Sequence, residues 1–453
     1  MKNKINASLR AIAKQPLHMQ IDNVIQGEKL LGYFLLAVML LFAPIAFSKN
    51  KVSNNIRRHY LITDNGAIGD GKTLNTIAIQ KTIDQASADG GGVVEIPEGT
   101  FISGSIFLKK GVDLTINDKG ILKGSLNPDD YPQIHTSFEG VEKMYTAAFV
   151  NAQYLTDFNI TGPGTIDGSG EDLIAVYRDL KTTPRPGKPR LMCLEGCHNV
   201  SVSNLKLHNE AVWCMHLLYC KGVKVDGVTI TAEHNIPSSD GIDIDACDGI
   251  DINHCDIDVN DDCISIKAGR ETNTVPNRVC QNIIIENTRF GYGHGGVAMG
   301  SETSGGIRNV EVRDCVAEAG NWAPVRFKSQ QSRGGIVQHI VFRNFKLNGV
   351  NRAFEFNMNW TSSHGVLSPP SNPLPIVRDV QLINVSGTAK SGGILIGLDG
   401  SPISNVKFVD CNIEAQTGLR TTYVNNVDYS GLNITVKEGE KVTAVAPPAK
   451  KEQ

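Results

Sequence analysis

Short β-branched segments recur along most of this chain at a spacing that few folds can accommodate. They read NVSVSNLKL from Asn199, GVKVDGVTIT from Gly222, GIDINHCDI from Gly249 and NIIIENTRF from Asn282, with IRNVEVRDCVAE following from Ile307. With Asn199, Gly222, Gly249, Asn282 and Asn309 as markers, the spacings are 23, 27, 33 and 27 residues. Within each unit apolar and polar residues alternate, as in a strand with one buried face, and each run ends at Asn, Asp or Gly. Periods of about 20 to 50 residues belong to solenoids and propellers. A propeller blade needs four strands in about 40 to 45 residues, more than these units hold. A parallel β-helix fits them, each unit being one coil stacked on the next at about 4.8 Å. Val200, Val202 and Leu205, then Val223, Val225 and Val228, would line its interior. The expected fold is all-β: a single-stranded, right-handed parallel β-helix over residues 58–440.

The flanks are different. Near the start of the domain, TIAIQKTID from Thr76 carries a helical period, with Ile77, Ile79, Ile83 and Ala86 as its apolar face. Asn75 is a plausible N-cap and Gly90-Gly91-Gly92 a stop, so a short helix should plug one end of the core. No second helix of comparable length is evident. Before it, Leu30 to Ser48 is an apolar run preceded by basic residues and ending in Ala46-Phe47-Ser48, small residues at the positions a signal peptidase reads. Residues 1–48 are therefore read as a signal peptide, starting at Met1 or at Met19, or else as a retained membrane segment. Residues 49–57 form a linker and 441–453 a loose tail.

The charge balance narrows the partners. With 44 basic and 47 acidic residues the net charge is -3, which excludes the strongly basic face that nucleic acid requires. The ten cysteines contain no CxxC pair, so zinc is a poor reading. Several stand at strand-like positions, including Cys247, Cys255 and Cys315, and are expected as buried thiols rather than disulfides.

One stretch departs from the simple coil pattern. Ser238 to Gly269 holds nine aspartates, most of which read as solvated turns and outward strand faces. Asp240 and Asp261 lie 21 residues apart, about one coil, and so belong on adjacent rungs of one face. Asp261 and Asp262 are consecutive, and Asp262 shares parity with the core-like Ile264 and Ile266. For both carboxylates to reach one site the chain must bend at Val259-Asn260. Crowded carboxylates push one pKa up and leave a proton to donate. Glycoside hydrolysis needs that division of labour, and a calcium site could use the same acids. Further on, His294 sits between glycines in Gly293-His294-Gly295, where a ligand can approach the backbone or the ring is merely structural. Arg326 and Lys328, two apart on a strand, project together with Phe327 turned inward. An anionic substrate group or nearby protein acids would satisfy them.

These residues resemble the motifs of the polygalacturonase family, glycoside hydrolase family 28, whose fold is pectin-lyase-like. The likeness runs from ITDNGAIGDGKTLNTIAIQKTID through GGGVVEIPEGTFISGSIFLK to the C-terminal coils. Four motifs follow in the family's order: SSDG at 238–241, NDDC at 260–263, GHG at 293–295 and RFK at 326–328. The resemblance implies hydrolysis of α-galacturonosyl bonds in an acidic pectic polysaccharide by an inverting mechanism, with no cofactor and no metal. It implies that Asp261 is the general acid, that Asp240 and Asp262 activate water, and that His294 tunes the acid. Arg326 and Lys328 would bind the galacturonate carboxylate. Ser238 and Ser239 replace the family's Asn and Thr, which places the contact made by Ser238 in doubt but not the role of Asp240. In inverting enzymes the acid and base carboxyls stand about 6.5 to 9.5 Å apart, a distance that stacked rungs with a bent pair can supply.

Three other readings stay open at this level. The enzyme acts on rhamnogalacturonan instead, the β-helix only binds polysaccharide, or it is a β-eliminating lyase. The basic stretch Lys181 to Met192 would block one end of a groove and favour exo action. Export to the periplasm or outside the cell, and a monomer, complete the expectation.

Overall fold

The computed structural model describes residues 57–180, 187–273, 275–361 and 368–445. The apolar segment, most of the linker, the first six residues of the Lys181–Met192 stretch and residues 446–453 lie outside these. Among the described residues, 31 strands join in one continuous sheet, and two more form a separate antiparallel hairpin. The large sheet is wound from parallel rungs. Val200 stands beside Val223, which stands beside Ile250, then Ile283, then Val310. This is the internal ladder that the alternating pattern implies.

The markers of the repeat turn out to be backbone positions of one kind. Asn199, Gly222, Gly249, Asn282 and Asn309 all have φ between 54° and 75°. Only Gly, and less readily Asn or Asp, takes that left-handed conformation at low cost, so the corner of each coil selects these residues. Asparagines at neighbouring corners also bond to each other, Asn309 Nδ2 donating to Asn282 Oδ1 at 3.0 Å.

All ten cysteines are buried and unpaired. Cys220 and Cys247 stack from rung to rung, the amide of Cys220 lying 3.2 Å from the Cys247 thiol. An aromatic stack fills the later coils, with Phe327 fully buried and its ring 4.1 Å from that of Phe356. Phe327→Ala should lower stability by about 3 to 5 kcal/mol, through lost transfer energy plus the cavity left behind. Urea unfolding measures this, and a loss below about 1 kcal/mol would mean the stack is not the core of these coils.

The first helix, Thr76–Ala88 (α1), has the predicted span, but two of its details differ. Ile77 is 86% exposed, and the buried face is Ile79, Thr82, Ile83 and Ala86. Asn75 occupies the N-cap position without capping. Its side chain bonds instead to both backbone groups of Ile68, tying down the loop before the helix. A second helix, Gly170–Asp179 (α2), departs from the expectation of one. It buries Leu173, Ile174 and Tyr177, too few apolar positions to stand out in the sequence. At the other end the last strand runs to Ala444, past the expected boundary at 440.

The site is carried by one row of strands. These are Met192–Glu195 (β1), Met215–Leu218 (β2), Ile242–Asp245 (β3), Asp262–Lys267 (β4), Gly293–Met299 (β5), Asn321–Lys328 (β6) and the end of Ile336–Asn357 (β7). Ile242, Ile264, Val297, Val325 and Phe354 stack inward. On the outer face Asp243, Ser265, Ala298, Arg326 and Glu355 share one row. Over this face leans the antiparallel hairpin, Gln133–Phe138 paired with Val141–Thr146. Its turn residues Glu139 and Gly140 both have positive φ, as a two-residue hairpin turn requires. A Cβ on Gly140 would lie 3.0 Å from the backbone of Gly269 and Arg270, so the tip rests directly on the coil after β4. Phe138 and Tyr145 stack at 4.2 Å, and Trp213 packs on Phe138 at 4.5 Å.

Candidate active site

The bend before β4 brings the acids together. Residues 260 and 261 form it, and the amide of Asp262 donates to Asp261 Oδ1 at 3.0 Å. Asp262 has the parity of Ile264, yet its carboxylate meets Arg326 and Lys328 on the outer side, so the alternation breaks just inside the strand. From the previous coil Asp240 joins them. Carboxylate oxygens of Asp240, Asp261 and Asp262 all lie within 4.8 Å of one another. Asp240 and Asp261 open, with His294, Arg326, Lys328 and the exposed Ser238, into a cavity of about 330 Å³, and Asp262 lies buried behind them. The sequence-predicted residues are thus all in one place. The expected window of about 6.5 to 9.5 Å refers to whole carboxyl groups, whereas the 4.8 Å here is between single oxygens.

The cations that face them are buried. Arg326 donates to Asp262 Oδ1 at 3.0 Å, and Lys328 Nζ is 2.5 Å from its Oδ2. Glu355 holds the other side of Arg326 at 3.4 Å. The Trp360 ring lies 5.3 Å from Lys328 Nζ. Burial pushes the Asp262 carboxyl up, but the Lys328 and Arg326 charges outweigh it and hold it ionised. Burial likewise opposes ionisation of Asp261, and the bond from His294 with the charge of Lys328 overcomes it. His294 Nδ1 stands 3.1 Å from Asp261 Oδ1, and that bond raises the imidazole pKa. Asp240 is the opposite case. Burial, with the like charges of Asp243 and Asp261, raises its pKa well above the carboxylate range. Burial and like charge thus favour a proton on Asp240, and the cations favour the anions of Asp261 and Asp262.

Several members of this network do not stand out in the sequence. Lys267 is buried and reaches Asp243 at 3.3 Å, Glu302 at 3.5 Å and Asp240 at 3.8 Å, with Trp213 beneath it at 4.8 Å. The expectation that Asp243 and Asp245 are solvated is corrected: both are fully buried under the hairpin and the later loops, and burial pushes each to about 7. Glu302, next to Lys267, is held at about 2, the lysine outweighing burial. His216 and Arg190 form a buried pair below the hairpin at 2.5 Å. Arg190 belongs to the basic stretch expected to block the groove, but it is wholly buried and supports the floor instead. The signal for Lys267 is its outward parity with Ser265 on the strand that begins at Asp262.

The cluster of three acids has the spacing of a cation site, in line with the calcium reading. A calcium ion would have to displace Lys328 and Arg326 from Asp262, and Lys267 from Asp240, which makes the three acids poor ligands.

The profile of "Glycosyl hydrolases family 28" matches residues 94–436. The chain is 30% identical to "Probable polygalacturonase" of Vitis vinifera, over 74% of this chain and 70% of that one. It is 27% identical to "Exo-poly-alpha-D-galacturonosidase" of Dickeya chrysanthemi, over 82% and 71%. Among solved structures it resembles the hyperthermoactive exopolygalacturonase from Thermotoga maritima, at 26% identity and a TM-score of 0.67, covering 82% of this chain and 91% of that one. With these matches the coils are those of the right-handed pectin-lyase-like β-helix. Fold, ordered motifs and sequence similarity agree that this chain belongs to glycosyl hydrolase family 28.

Proposed function

We propose that this chain hydrolyses the α-galacturonosyl bonds of pectic polysaccharide, taking the chain from its end. One observation carries the reading: three carboxylates from two adjacent rungs cluster against two buried cations, Arg326 and Lys328, at the wall of one pocket. The acids supply proton transfer and water activation, and the cations supply a seat for a substrate carboxylate.

In this reading Asp261 protonates the leaving oxygen, since it is the acid nearest the open cleft and carries His294 beside it. In the free site the His294 bond and the Lys328 charge favour its anion. A galacturonate carboxylate seated on Lys328 and Arg326 would offset the charges that keep Asp261 ionised, so substrate itself favours its protonation. The proton comes from Asp240, and Asp240 and Asp262, then both ionised, accept the proton of the attacking water. Ser238, at the rim, offers a hydroxyl to the neighbouring sugar. The approach of single carboxylate oxygens does not decide the stereochemistry. Proton NMR of the first anomer released does: the β-anomer means inversion, the α-anomer retention.

End-on attack is supported by the hairpin, whose Glu139 closes one side of the cavity, and by the exo-acting relative of Dickeya chrysanthemi. Digestion of polygalacturonate should release one short product from the outset. A ladder of mixed oligomers would mean endo action, and release from rhamnogalacturonan alone would select that substrate instead. Unsaturated products absorbing in the ultraviolet would mean a lyase.

Residues 1–48 are proposed as the export signal, delivering a monomer to the periplasm or the medium. No helix among the described residues is long and apolar enough to cross a membrane.

A further inference from the structure

We propose that Trp322 and Arg352 form an additional sugar subsite on the open side of the cleft, taking the second galacturonosyl unit out from the cut bond. The inference rests on the reading of the chain as a galacturonan hydrolase, and it adds two residues outside the four motifs.

The placement follows from register. Gly293 stands beside Asn321 and Gly295 beside Ala323, so His294 stands beside Trp322 on the next rung. Asp262 stands beside Gly295, so Asp261 precedes His294 in the same row. Asp261, His294 and Trp322 therefore line up across three successive rungs of the outer face. At about 4.8 Å per rung, Trp322 is about 10 Å from the rung of Asp261, beyond the two rings that flank the bond being cut. The hairpin closes the Lys267 side of the site, which leaves the His294 and Trp322 side for the rest of the polymer.

The chemistry is that of a sugar platform. Trp322 shares the outward parity of Arg326 and Lys328, and 40% of it is exposed where core packing does not require it. It is held in place rather than loose. Its Nε1 donates to Glu355 Oε2 at 3.1 Å, and the same carboxylate, through its other oxygen, faces Arg326 at 3.4 Å. Arg352 reaches Glu355 at 2.6 Å and lies 5.2 Å from the centre of the indole ring. A fixed indole offers a flat apolar face to the C–H side of a pyranose. Arg326 is shared between Asp262 and Glu355, so Arg352, 28% of whose side chain is exposed, is the cation placed to meet a uronate carboxylate. Neither residue touches the acids, so the subsite contributes binding of longer chains and no chemistry.

Kinetics on oligogalacturonates of increasing length tests this. Trp322→Ala should lower kcat/KM about five- to tenfold on oligomers of four and five units, while the shortest oligomer cleaved stays within about twofold of wild type. Arg352→Gln should follow the same pattern, and Trp322→Phe should recover most of the loss by restoring a flat ring. Equal loss at every length would make Trp322 a structural residue, and no loss at any length would leave it outside the path of the substrate. Either result overturns the subsite while the enzyme remains a galacturonan hydrolase. Wild-type protein that releases nothing from any galacturonate oligomer would sink the functional reading and the subsite together.

Discussion

Asp261→Asn lowers kcat on polygalacturonate by about a thousandfold or more, and the variant still binds the polymer. The size of the loss follows from position. Asp261 is the cluster member nearest solvent, with a side chain 24% exposed, and it alone bonds to His294. The amide keeps the shape and can still accept the bond from the Asp262 backbone, so the fold should not change. It cannot donate an acidic proton. A substrate with an activated leaving group needs little protonation and should be cleaved by the variant at a rate much closer to wild type. If both substrates suffer equally, Asp261 is not the acid, and Asp240, whose protonated form burial favours, becomes the candidate. Rate measurements with isothermal calorimetry separate turnover from binding.

The second large effect is expected at the cations. Lys328→Met should cut kcat/KM on polygalacturonate about a hundredfold, roughly 3 kcal/mol of transition-state stabilisation. Two causes combine. The substrate carboxylate loses one of its partners, and the fully buried Asp262 loses a charge 2.5 Å away. Without Lys328 the burial of Asp262 is opposed only by Arg326 and the more distant Lys267, so its pKa must rise. An ionised Asp262 is then reached only at higher pH, and the acid limb of the pH–rate profile moves upward. Highly methyl-esterified pectin, which offers little charge to Lys328, should lose less than polygalacturonate does. Equal losses on both polymers, with an unmoved acid limb, would show that Lys328 neither binds the uronate nor holds Asp262.

Much of this arrangement is legible in the amino-acid sequence, because a coil of about 20 to 30 residues converts sequence distance into a neighbour relation. The 21-residue separation of Asp240 and Asp261 and the two-residue separation of Arg326 and Lys328 are both readings of that kind. The corner residues are legible for a local reason, since left-handed backbone selects Asn and Gly whatever the surroundings. What cannot be read is what lies over the site. Asp243 and Asp245 have outward parity and would be solvated on a bare coil. They are buried because the hairpin at 133–146 arrives from an earlier coil and rests on Gly269 and Arg270. No periodicity encodes that contact. Lys267 escapes notice for a related reason, as a single lysine on a strand face reads as solvated until its three acidic partners are placed around it. The break of alternation at Asp262 is also hidden, because an ideal strand would send that side chain toward Ile264.

In the proposed mechanism Asp240 and Asp261 work as one unit in one pocket. The kcat values of Asp240→Asn, Asp261→Asn and the double variant on polygalacturonate test it directly. The double variant should be no slower than the worse single variant by more than about threefold, since removing either member already disables the unit. Losses that multiply, or a single variant that keeps wild-type turnover, would contradict it.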